Sequence, residues 1–211
     1  MPSQPSPDAF RRADESPDDA FYAFPRFVRH IDEAAIAAVT DLYRALFPSD
    51  GSGRILDLMS SWVSHLPPEV TYARVAGLGM NAEELAANPR LTEWRVQDLN
   101  ETPVLPYENA SFDGCAICVS VQYLTRPVAV LREVARVLAP GAAVAVTFSN
   151  RCFPTKAVAA WLERDDAGHL RLVSEYLEAA GGYDVRTEAR DLTPPGSGGD
   201  PIYAVIGRRP A

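Results

Sequence analysis

Short apolar segments alternate with amphipathic helical patterns through the middle of the chain, and this alternation is the strongest constraint on its fold. We predict strands at five of the apolar segments: residues 54–59, 71–78, 93–97, 112–120 and 142–148. Between the last two, apolar residues recur every three or four positions over 126–138, which predicts a helix. Because such strands are apolar on both faces, they predict a parallel sheet covered by helices on both sides.

After Phe153 the pattern changes to two helical stretches, at about 155–163 and 167–180. Two β-like segments follow, 183–190 and 202–207. The loop 193–200 between these segments contains two prolines and three glycines. A loop of this composition joins strands that turn back on each other. We therefore predict that the two segments close the sheet as an antiparallel hairpin.

The size and charge of the chain disfavour several classes of protein. Its 211 residues suit a single domain, and its formal net charge of −8 disfavours binding to nucleic acid. No segment has the roughly 18 consecutive apolar residues of a membrane span, and the N-terminus lacks the pattern of a signal peptide. With three cysteines and no histidine pair at ligand spacing, we expect a reduced, cytoplasmic protein without a metal site or a membrane partner. The oligomeric state stays open.

The N-terminal region divides into two parts. Residues 1–18 are rich in proline and charge and predict a disordered arm, and residues 19–211 predict a single domain. That domain opens with a helical lid at about 21–48, in which aromatic and cationic side chains mix between Phe21 and Asp32. The alternative is an arm whose aromatic residues only pack against the sheet.

Four segments carry a resemblance to a known family: Leu105–Tyr107, Ser111–Asp113, Val119–Leu124 and Leu131–Gly141. Together they resemble the central block of class I S-adenosylmethionine-dependent methyltransferases, of the type 11 group that acts on small molecules. The resemblance covers about residues 54–150. It implies a three-layer, Rossmann-like α/β fold with a seven-stranded sheet in the order 3-2-1-4-5-7-6 and an antiparallel last strand. It also implies S-adenosylmethionine as the cofactor and methyl transfer to a small-molecule acceptor.

The first motif of that family is an acid followed by alternating glycines, which let the backbone approach the cofactor closely. Here the acid is Asp57, and Met59, Ser61 and Val63 stand at the glycine positions. The resemblance gives Asp57 a role in shaping the loop and in meeting the cofactor's ammonium group. The alternative is that Asp57 only caps a following helix, which we predict over 61–66.

The second and third motifs concern the adenosine part of the cofactor. Gly79 stands where the family has an acid for the ribose hydroxyls, with Asn81 or Glu83 as the nearest substitutes. Asp98 stands where the family binds the adenine amino group, and its alternative role is to cap a turn or helix. The resemblance thus gives as cofactor-binding residues Asp57, Ser60, Ser61, Gly79, Met80, Asn81, Asp98, Leu99, Cys118 and Ser120.

Polar residues of the lid and of the later strand ends are the candidates for the acceptor site. A general base is needed only if the acceptor carries a proton, and His30 and Tyr22 are the candidates for it. Arg26 and Arg151 suit a carboxylate, because a guanidinium matches its two oxygens; a loop salt bridge is an equal alternative for each. The predicted acceptor-binding residues are Arg26, Gln122, Tyr123, Asn150 and Arg151.

Two functions of different kinds remain open from the sequence. The first is methyl transfer to a small molecule. The second is a catalytically inactive methyltransferase fold that serves as a binding or partner protein, which the loss of the motif glycines favours. A nicotinamide-dependent oxidoreductase is a weaker third alternative, because the pair Gly77 and Gly79 lacks the third glycine of a dinucleotide fingerprint.

Overall fold

The structure, a computed structural model, describes residues 7–184, 188–196 and 198–211. Within these residues one sheet has seven strands in the order β3-β2-β1-β4-β5-β7-β6. Strands β1 to β5 pair in parallel, and β7 runs antiparallel to both β5 and β6. The predicted order and the predicted antiparallel last strand are therefore confirmed.

The strands lie close to the predicted segments. Their bounds are β1 Arg54–Leu58, β2 Arg74–Gly79, β3 Glu93–Val96, β4 Phe112–Cys118, β5 Leu138–Phe148, β6 Glu188–Asp191 and β7 Tyr203–Arg208. The predicted segment 183–190 overlaps β6 only at its end, and its residues 185–187 lie outside the described residues. β1, β2 and the end of β5 are almost wholly buried, as expected for strands covered on both faces.

Helices cover the two faces of the sheet. On one face, α2 (Glu33–Leu46) packs Val39 and Tyr43 against the sheet, and Asp32 caps its start by accepting a hydrogen bond from the Ala35 amide at 2.8 Å. On the other face lie α4 (Pro127–Val137) and α6 (Asp166–Ala180). The shorter helices are α1 Asp18–Phe21, α3 Ala82–Ala87 and α5 Ala159–Leu162. No helix in the described part of the chain has both the length and the apolar character needed to cross a bilayer.

The N-terminal region differs from its prediction. Residues 1–6 of the predicted arm lie outside the described residues, but residues from Asp8 onward contact the domain. The Arg12 guanidinium donates two hydrogen bonds, of 2.7 and 2.8 Å, to the Asp18 carboxylate. Asp18 also lies 3.2 Å from the Lys156 ammonium, which is fully buried. The arm is therefore anchored by charge, because buried ions require partners.

The predicted lid is helical only in part. Residues 22–32 between α1 and α2 form no helix, and they cross the sheet edge as an irregular segment. Its path is set by hydrogen bonds to α3, where the Asn81 side-chain amide donates to the carbonyls of Tyr22 at 2.9 Å and Ala23 at 3.3 Å. The segment therefore packs on the domain along its polar backbone as well as through its aromatic side chains.

The helix predicted over 61–66 does not form, which corrects the alternative role of Asp57 as its cap. The connection between β1 and β2 is irregular throughout. The Asp57 carboxylate instead accepts hydrogen bonds from the hydroxyls of Ser60 and Ser64, and Pro67 follows at once. Serine side chains that bond locally compete with helical backbone bonds, and proline removes a donor.

Candidate active site

A cavity of about 480 Å³ opens at the carboxyl ends of the parallel strands. Parallel strands of an open α/β sheet present their carboxyl ends along one edge, so residues distant in sequence meet there. All the site residues predicted from the sequence line this cavity except Gln122. Its volume lies within the range of about 300–1,000 Å³ typical of small-molecule sites.

Gln122 is the one predicted acceptor-binding residue that the cavity does not include. It is almost fully buried, and its side-chain amide donates to the Val119 carbonyl at 3.0 Å. Residues Val121–Tyr123 form a single 3₁₀ turn after β4. That turn directs Gln122 inward while Tyr123 reaches the cavity, which sequence spacing after a strand does not reveal.

Asp57, the next-to-last residue of β1, lines the cavity with 6% of its surface exposed. Burial raises the pKa of its carboxyl to about 6, although the hydroxyls of Ser60 and Ser64 favour the charged form. Both hydroxyls bond to Oδ2, and no hydrogen bond to Oδ1 is found among the described residues. Oδ1 of Asp57 is therefore the acceptor that this carboxylate offers to a ligand.

The loop after Asp57 carries side chains where the family has glycines. Met59 has a φ of +58°, the left-handed region that glycine adopts readily and other residues adopt at a cost. Met59, Ser61 and Val63 all line the cavity. The backbone thus keeps a glycine-type conformation at Met59, although the residue carries a side chain.

Gly79 ends β2 under the same loop. A Cβ atom at Gly79 would lie 2.1 Å from the Ser60 carbonyl oxygen, and the Ser60 amide donates to the Leu78 carbonyl at 2.8 Å. No side chain fits there unless the loop moves. The two departures from the family pattern are therefore connected. The loop after Asp57 fills the space that the Cβ atom of an acid at position 79 would need.

Asn81 does not replace the missing acid. Its side-chain oxygen accepts from the amides of Glu83 and Glu84 at the start of α3, and its side-chain nitrogen holds the N-terminal segment as described above. Glu83 is exposed and does not line the cavity. Asn81 lies at the cavity wall as predicted, but its hydrogen-bonding groups are committed to protein partners.

Asp98 follows β3 and also lines the cavity. One carboxylate oxygen, Oδ1, accepts from the Asn100 amide at 2.7 Å and fixes the turn. No hydrogen bond to Oδ2 is found in the described part of the chain. Leu99 beside it is buried, so the site at the end of β3 combines a carboxylate acceptor with an apolar surface.

β4 contributes Cys118 and Ser120 to the cavity wall. Burial raises the pKa of the Cys118 thiol to about 11, so the thiol is neutral at physiological pH and unsuited to act as a nucleophile. The Ser120 hydroxyl is buried and has no hydrogen-bond partner among the described residues. A buried hydroxyl without a partner is costly, so a ligand atom at this position would be stabilising.

An aromatic cluster covers the cavity and unites the predicted lid with the end of β5. Phe153 is its centre: its ring lies 5.5 Å from the rings of Phe21 and His30 and 5.9 Å from the ring of Tyr123. The Phe153 amide also donates to the Tyr123 hydroxyl at 2.9 Å. Tyr22, Arg26 and His30 consequently lie at the same sheet edge as Asn150 and Arg151.

The two candidate bases differ in their protonation. Burial raises the pKa of the Tyr22 hydroxyl far above its usual value, so Tyr22 stays protonated at neutral pH. Burial lowers the pKa of the His30 imidazole, which keeps His30 neutral and able to accept a proton. His65 also lines the cavity, and burial lowers its pKa to about 4.

Sequence reasoning missed Glu84 and Phe153. Glu84 is buried, and its carboxylate accepts from the Arg26 amide at 2.7 Å and from the Ser61 hydroxyl. The Asn81–Glu84 spacing is that of a helix-capping pair, which signals a helix start but not these partners. Phe153 lies five residues beyond β5, in a segment without a pattern that would distinguish it.

Residues 51–146, a little under half of the chain, match the sequence model of a family described as "Methyltransferase domain", the type 11 group. By sequence, this segment is similar to that family of methyltransferase domains. The matched segment contains Asp57, Asp98 and the end of β4. Tyr22, Arg26, His30 and Phe153, which also line the cavity, lie outside it. No curated protein matches the chain.

The chain shares its fold with solved structures of low sequence identity. The 4+2 cyclase SpnF has a TM-score of 0.63 at 16% identity, over 92% of this chain and 91% of that chain. An S-adenosylmethionine-dependent methyltransferase from Mesorhizobium loti has a TM-score of 0.56 at 18% identity, over 82% and 98%. Phosphoethanolamine N-methyltransferase 2 from Haemonchus contortus, in complex with S-adenosyl-L-methionine, has a TM-score of 0.59 at 16% identity, over 83% and 52%.

These likenesses show the fold. The family match of residues 51–146 is to a methyltransferase domain, and the fold of these structures agrees with it.

Proposed function

We propose that the protein transfers a methyl group from S-adenosylmethionine to a small-molecule acceptor. The observation that carries this proposal is that one cavity in a methyltransferase fold brings together Asp57 and Asp98, the acids of the first and third motifs. These residues come from the ends of β1 and β3. Their shared position is the one at which open α/β sheets bind ligands.

The donor and acceptor groups of the cavity fit the two ends of the cofactor. Oδ1 of Asp57 makes no hydrogen bond with any described residue, which suits the ammonium group. Oδ2 of Asp98 likewise makes no hydrogen bond with any described residue, which suits the amino group of adenine. The buried Leu99 beside it offers an apolar surface for the adenine ring. The ribose between them meets no acid at Gly79, so we expect it to bind with fewer hydrogen bonds than is usual in the fold.

S-adenosylmethionine, when bound, supplies a methyl group on a sulfonium that needs no further activation by the protein. The chain contributes alignment, which is worth up to about 7–11 kcal/mol in well-oriented reactions. The aromatic cluster around Phe153 lies on the acceptor side of the cavity, where it would shield a bound acceptor from part of the solvent. His30 is the base for an acceptor that must lose a proton, because its lowered pKa leaves its imidazole neutral at pH 7. Tyr22 remains protonated and serves as a hydrogen-bond donor.

The alternative function, an inactive fold that binds a different ligand or a partner, rests on a specific observation. The Ser60 carbonyl occupies the space beside Gly79, and Asn81 is fully used by protein contacts. Both features remove ribose contacts that the family normally makes. They favour a weak or altered cofactor site without explaining why acids are present at both ends of the cavity.

Calorimetry with S-adenosylmethionine and S-adenosylhomocysteine tests whether the cavity binds the cofactor, which the proposed function requires. We expect both to bind the wild-type protein. Replacing Asp98 with alanine should weaken S-adenosylhomocysteine binding by about 1–3 kcal/mol, because it removes the acceptor for a buried donor of the ligand.

The matched control is Glu101→Ala, which removes an exposed acid three residues away that does not line this cavity. It should leave the affinity within about twofold, a difference of roughly 0.4 kcal/mol. If neither compound binds the folded wild-type protein, the methyltransferase proposal is wrong and the binding-protein alternative stands.

A further inference from the structure

Arg26 is distinguished among the arginines that line the cavity by its lack of an acidic partner. Arg29 pairs with Glu33, and Arg151 lies 3.7 Å from Asp200. Within the described residues, no carboxylate lies within salt-bridge distance of the Arg26 guanidinium. A guanidinium in a cavity without a counter-charge is a recognised feature of anion-binding sites.

The Arg26 side chain is held firmly in spite of this missing partner. Its guanidinium carbon lies 4.6 Å from the centre of the Phe21 ring and 5.6 Å from that of the Phe153 ring. Nη2 donates to the Phe21 carbonyl at 2.8 Å. These contacts fix the plane of the guanidinium before any ligand arrives, which lowers the entropy lost on binding.

Nη1 of Arg26 is buried and has no hydrogen-bond partner in the described part of the chain. The acids that also line the cavity nearby are already engaged: Glu84 accepts from the Arg26 amide and from Ser61, and Asp18 pairs with Arg12 and Lys156. The unmet N–H group therefore calls for an acceptor from outside the chain. A carboxylate supplies both the acceptor and the charge.

The position of the guanidinium indicates which ligand carries that carboxylate. Arg26 packs on Phe153, which follows β5, and Phe153 stacks on Tyr123, which follows β4. The acids assigned to the cofactor, Asp57 and Asp98, instead end β1 and follow β3. The guanidinium thus packs against residues that follow β4 and β5.

We propose that Arg26 binds a carboxylate of the methyl acceptor, so that the acceptor is a small organic acid methylated at another atom. This inference rests on the proposed function, since it needs the rest of the cavity to hold S-adenosylmethionine. The Ser120 hydroxyl, which lines the same cavity, is also buried without a partner among the described residues. The methionine part of the cofactor also has a carboxylate, and the experiment separates the two sources.

The test measures binding of sodium benzoate and of neutral benzamide by calorimetry, with and without saturating S-adenosylhomocysteine. Benzamide keeps the shape of benzoate and removes its charge. We expect benzoate to bind the wild-type protein at least tenfold more tightly than benzamide. Arg26→Gln should remove that difference, and Arg26→Lys should restore only part of it, because lysine keeps the charge without the planar pair of donors. Circular dichroism checks that each variant is folded.

Arg29→Gln is the matched control for charge, since Arg29 lines the same cavity but pairs with Glu33. It should leave benzoate affinity within twofold. A second control compares S-adenosylhomocysteine with 5′-methylthioadenosine, which lacks the amino-acid part. Arg26→Gln should leave the affinity for both within twofold.

Three results would overturn the assignment: equal binding of benzoate and benzamide by the wild type, an equal loss in the Arg29 variant, or a tenfold loss of S-adenosylhomocysteine affinity alone in the Arg26 variant. The last result would assign the carboxylate to the cofactor. Failure of S-adenosylhomocysteine to bind the wild type is a separate outcome. It would overturn the proposed function and with it the acceptor role, whatever benzoate does.

Discussion

The buried carboxylate of Asp57 is available to a ligand, but its burial destabilises the folded protein at neutral pH. Burial raises the pKa of its carboxyl from 3.8 to about 6. Below pH 4 the carboxyl is protonated in both the folded and the unfolded chain, and its burial costs little. Between about pH 4 and 6 only the unfolded chain loses its proton readily, so the contribution of Asp57 to stability falls as pH rises and is fully unfavourable above pH 6.

Asp57→Asn should therefore stabilise the protein at neutral pH. The amide oxygen can still accept from Ser60 and Ser64, and the desolvated charge is removed. We expect the free energy of unfolding at pH 7 to rise by about 1–3 kcal/mol, the range set by the pKa change. The gain over wild type should vanish at pH 4. Urea denaturation of both proteins at the two pH values measures it.

Asp113→Asn is a control of opposite sign. Hydrogen bonds from Arg54 lower the pKa of the Asp113 carboxyl, so its contribution is favourable above the unfolded pKa and is lost as pH falls. This variant should be less stable than wild type at pH 7 and approach it under acid conditions. Equal stability of Asp57→Asn and wild type at pH 7 would show that the buried carboxylate carries no penalty.

Asp57 and Asp98 could be predicted as site residues because each occupies a motif position that the sequence alone defines. The sequence did not identify the partners of those residues. The contacts of Ser60 and Ser64 with Asp57 depend on a loop path that no local pattern encodes. Gln122 was placed in the cavity because it follows β4, and a single 3₁₀ turn places its side chain elsewhere. The positions of Asp57 and Asp98 at one cavity were predictable from the sequence, and the orientation of Gln122, which a turn sets, was not.

At the level of elements, the β1–β2 connection is where the chain departs most from the family pattern. Met59 holds a left-handed backbone without being glycine, at a cost of roughly 1–2 kcal/mol. Its side chain is partly buried against the core and also lines the cavity. Conformational strain and packing therefore oppose each other at this residue, while the side chain narrows the ligand site.

Met59→Gly should increase affinity for S-adenosylhomocysteine by about fivefold or more, near 1 kcal/mol, because it removes a side chain from the cavity wall while keeping the backbone conformation. Stability should change by less than about 1 kcal/mol, since relief of strain offsets the lost packing. Calorimetry and urea denaturation measure the two effects. Met59→Leu keeps a side chain of similar size and should leave affinity unchanged. An unchanged affinity in the glycine variant would mean that Met59 does not crowd the ligand.

Elements with strong apolar patterns were predicted well, and elements fixed by polar contacts were not. β4 and α4 match their predicted segments closely. A strand buried on both faces is a continuous apolar run, and a helix buried along one face has apolar residues every three or four positions, so both patterns are visible in the sequence. The predicted helix at 61–66 is absent because serine hydroxyls bond to Asp57 and prolines follow. The predicted helix at 155–163 is reduced to Ala159–Leu162, since the residues before it bind the N-terminal segment.

For the whole molecule, the contact that matters most joins the N-terminus to the region after β5. Lys156 is fully buried and lies 3.2 Å from Asp18 and 3.3 Å from Asp14. The Lys156 ammonium also donates to the Ser16 carbonyl at 2.6 Å, and Asp18 binds Arg12. Proline-rich composition suggested disorder here, but composition does not reveal a buried lysine elsewhere in the chain that requires acidic partners.

Deletion of residues 1–17 should therefore destabilise the domain, because it removes Asp14 and Ser16 from the buried Lys156 ammonium and Arg12 from the Asp18 carboxylate. Breaking a buried ion cluster costs about 3–5 kcal/mol, and we expect a loss of that size in the free energy of unfolding at pH 7. Because Arg12 and Lys156 help hold the pKa of Asp18 below its usual value against the opposing effect of burial, the stability they provide is present above pH 4. That stabilisation is lost as pH falls through the pKa of Asp18 in the folded protein, so the deletion should cost less stability in acid.

Glu15→Gln in the full chain is the control, since Glu15 is an exposed partner of Arg12. It should change the free energy of unfolding by less than about 0.5 kcal/mol. A truncated protein as stable as the full chain at pH 7 would show that the ion cluster contributes nothing to the fold.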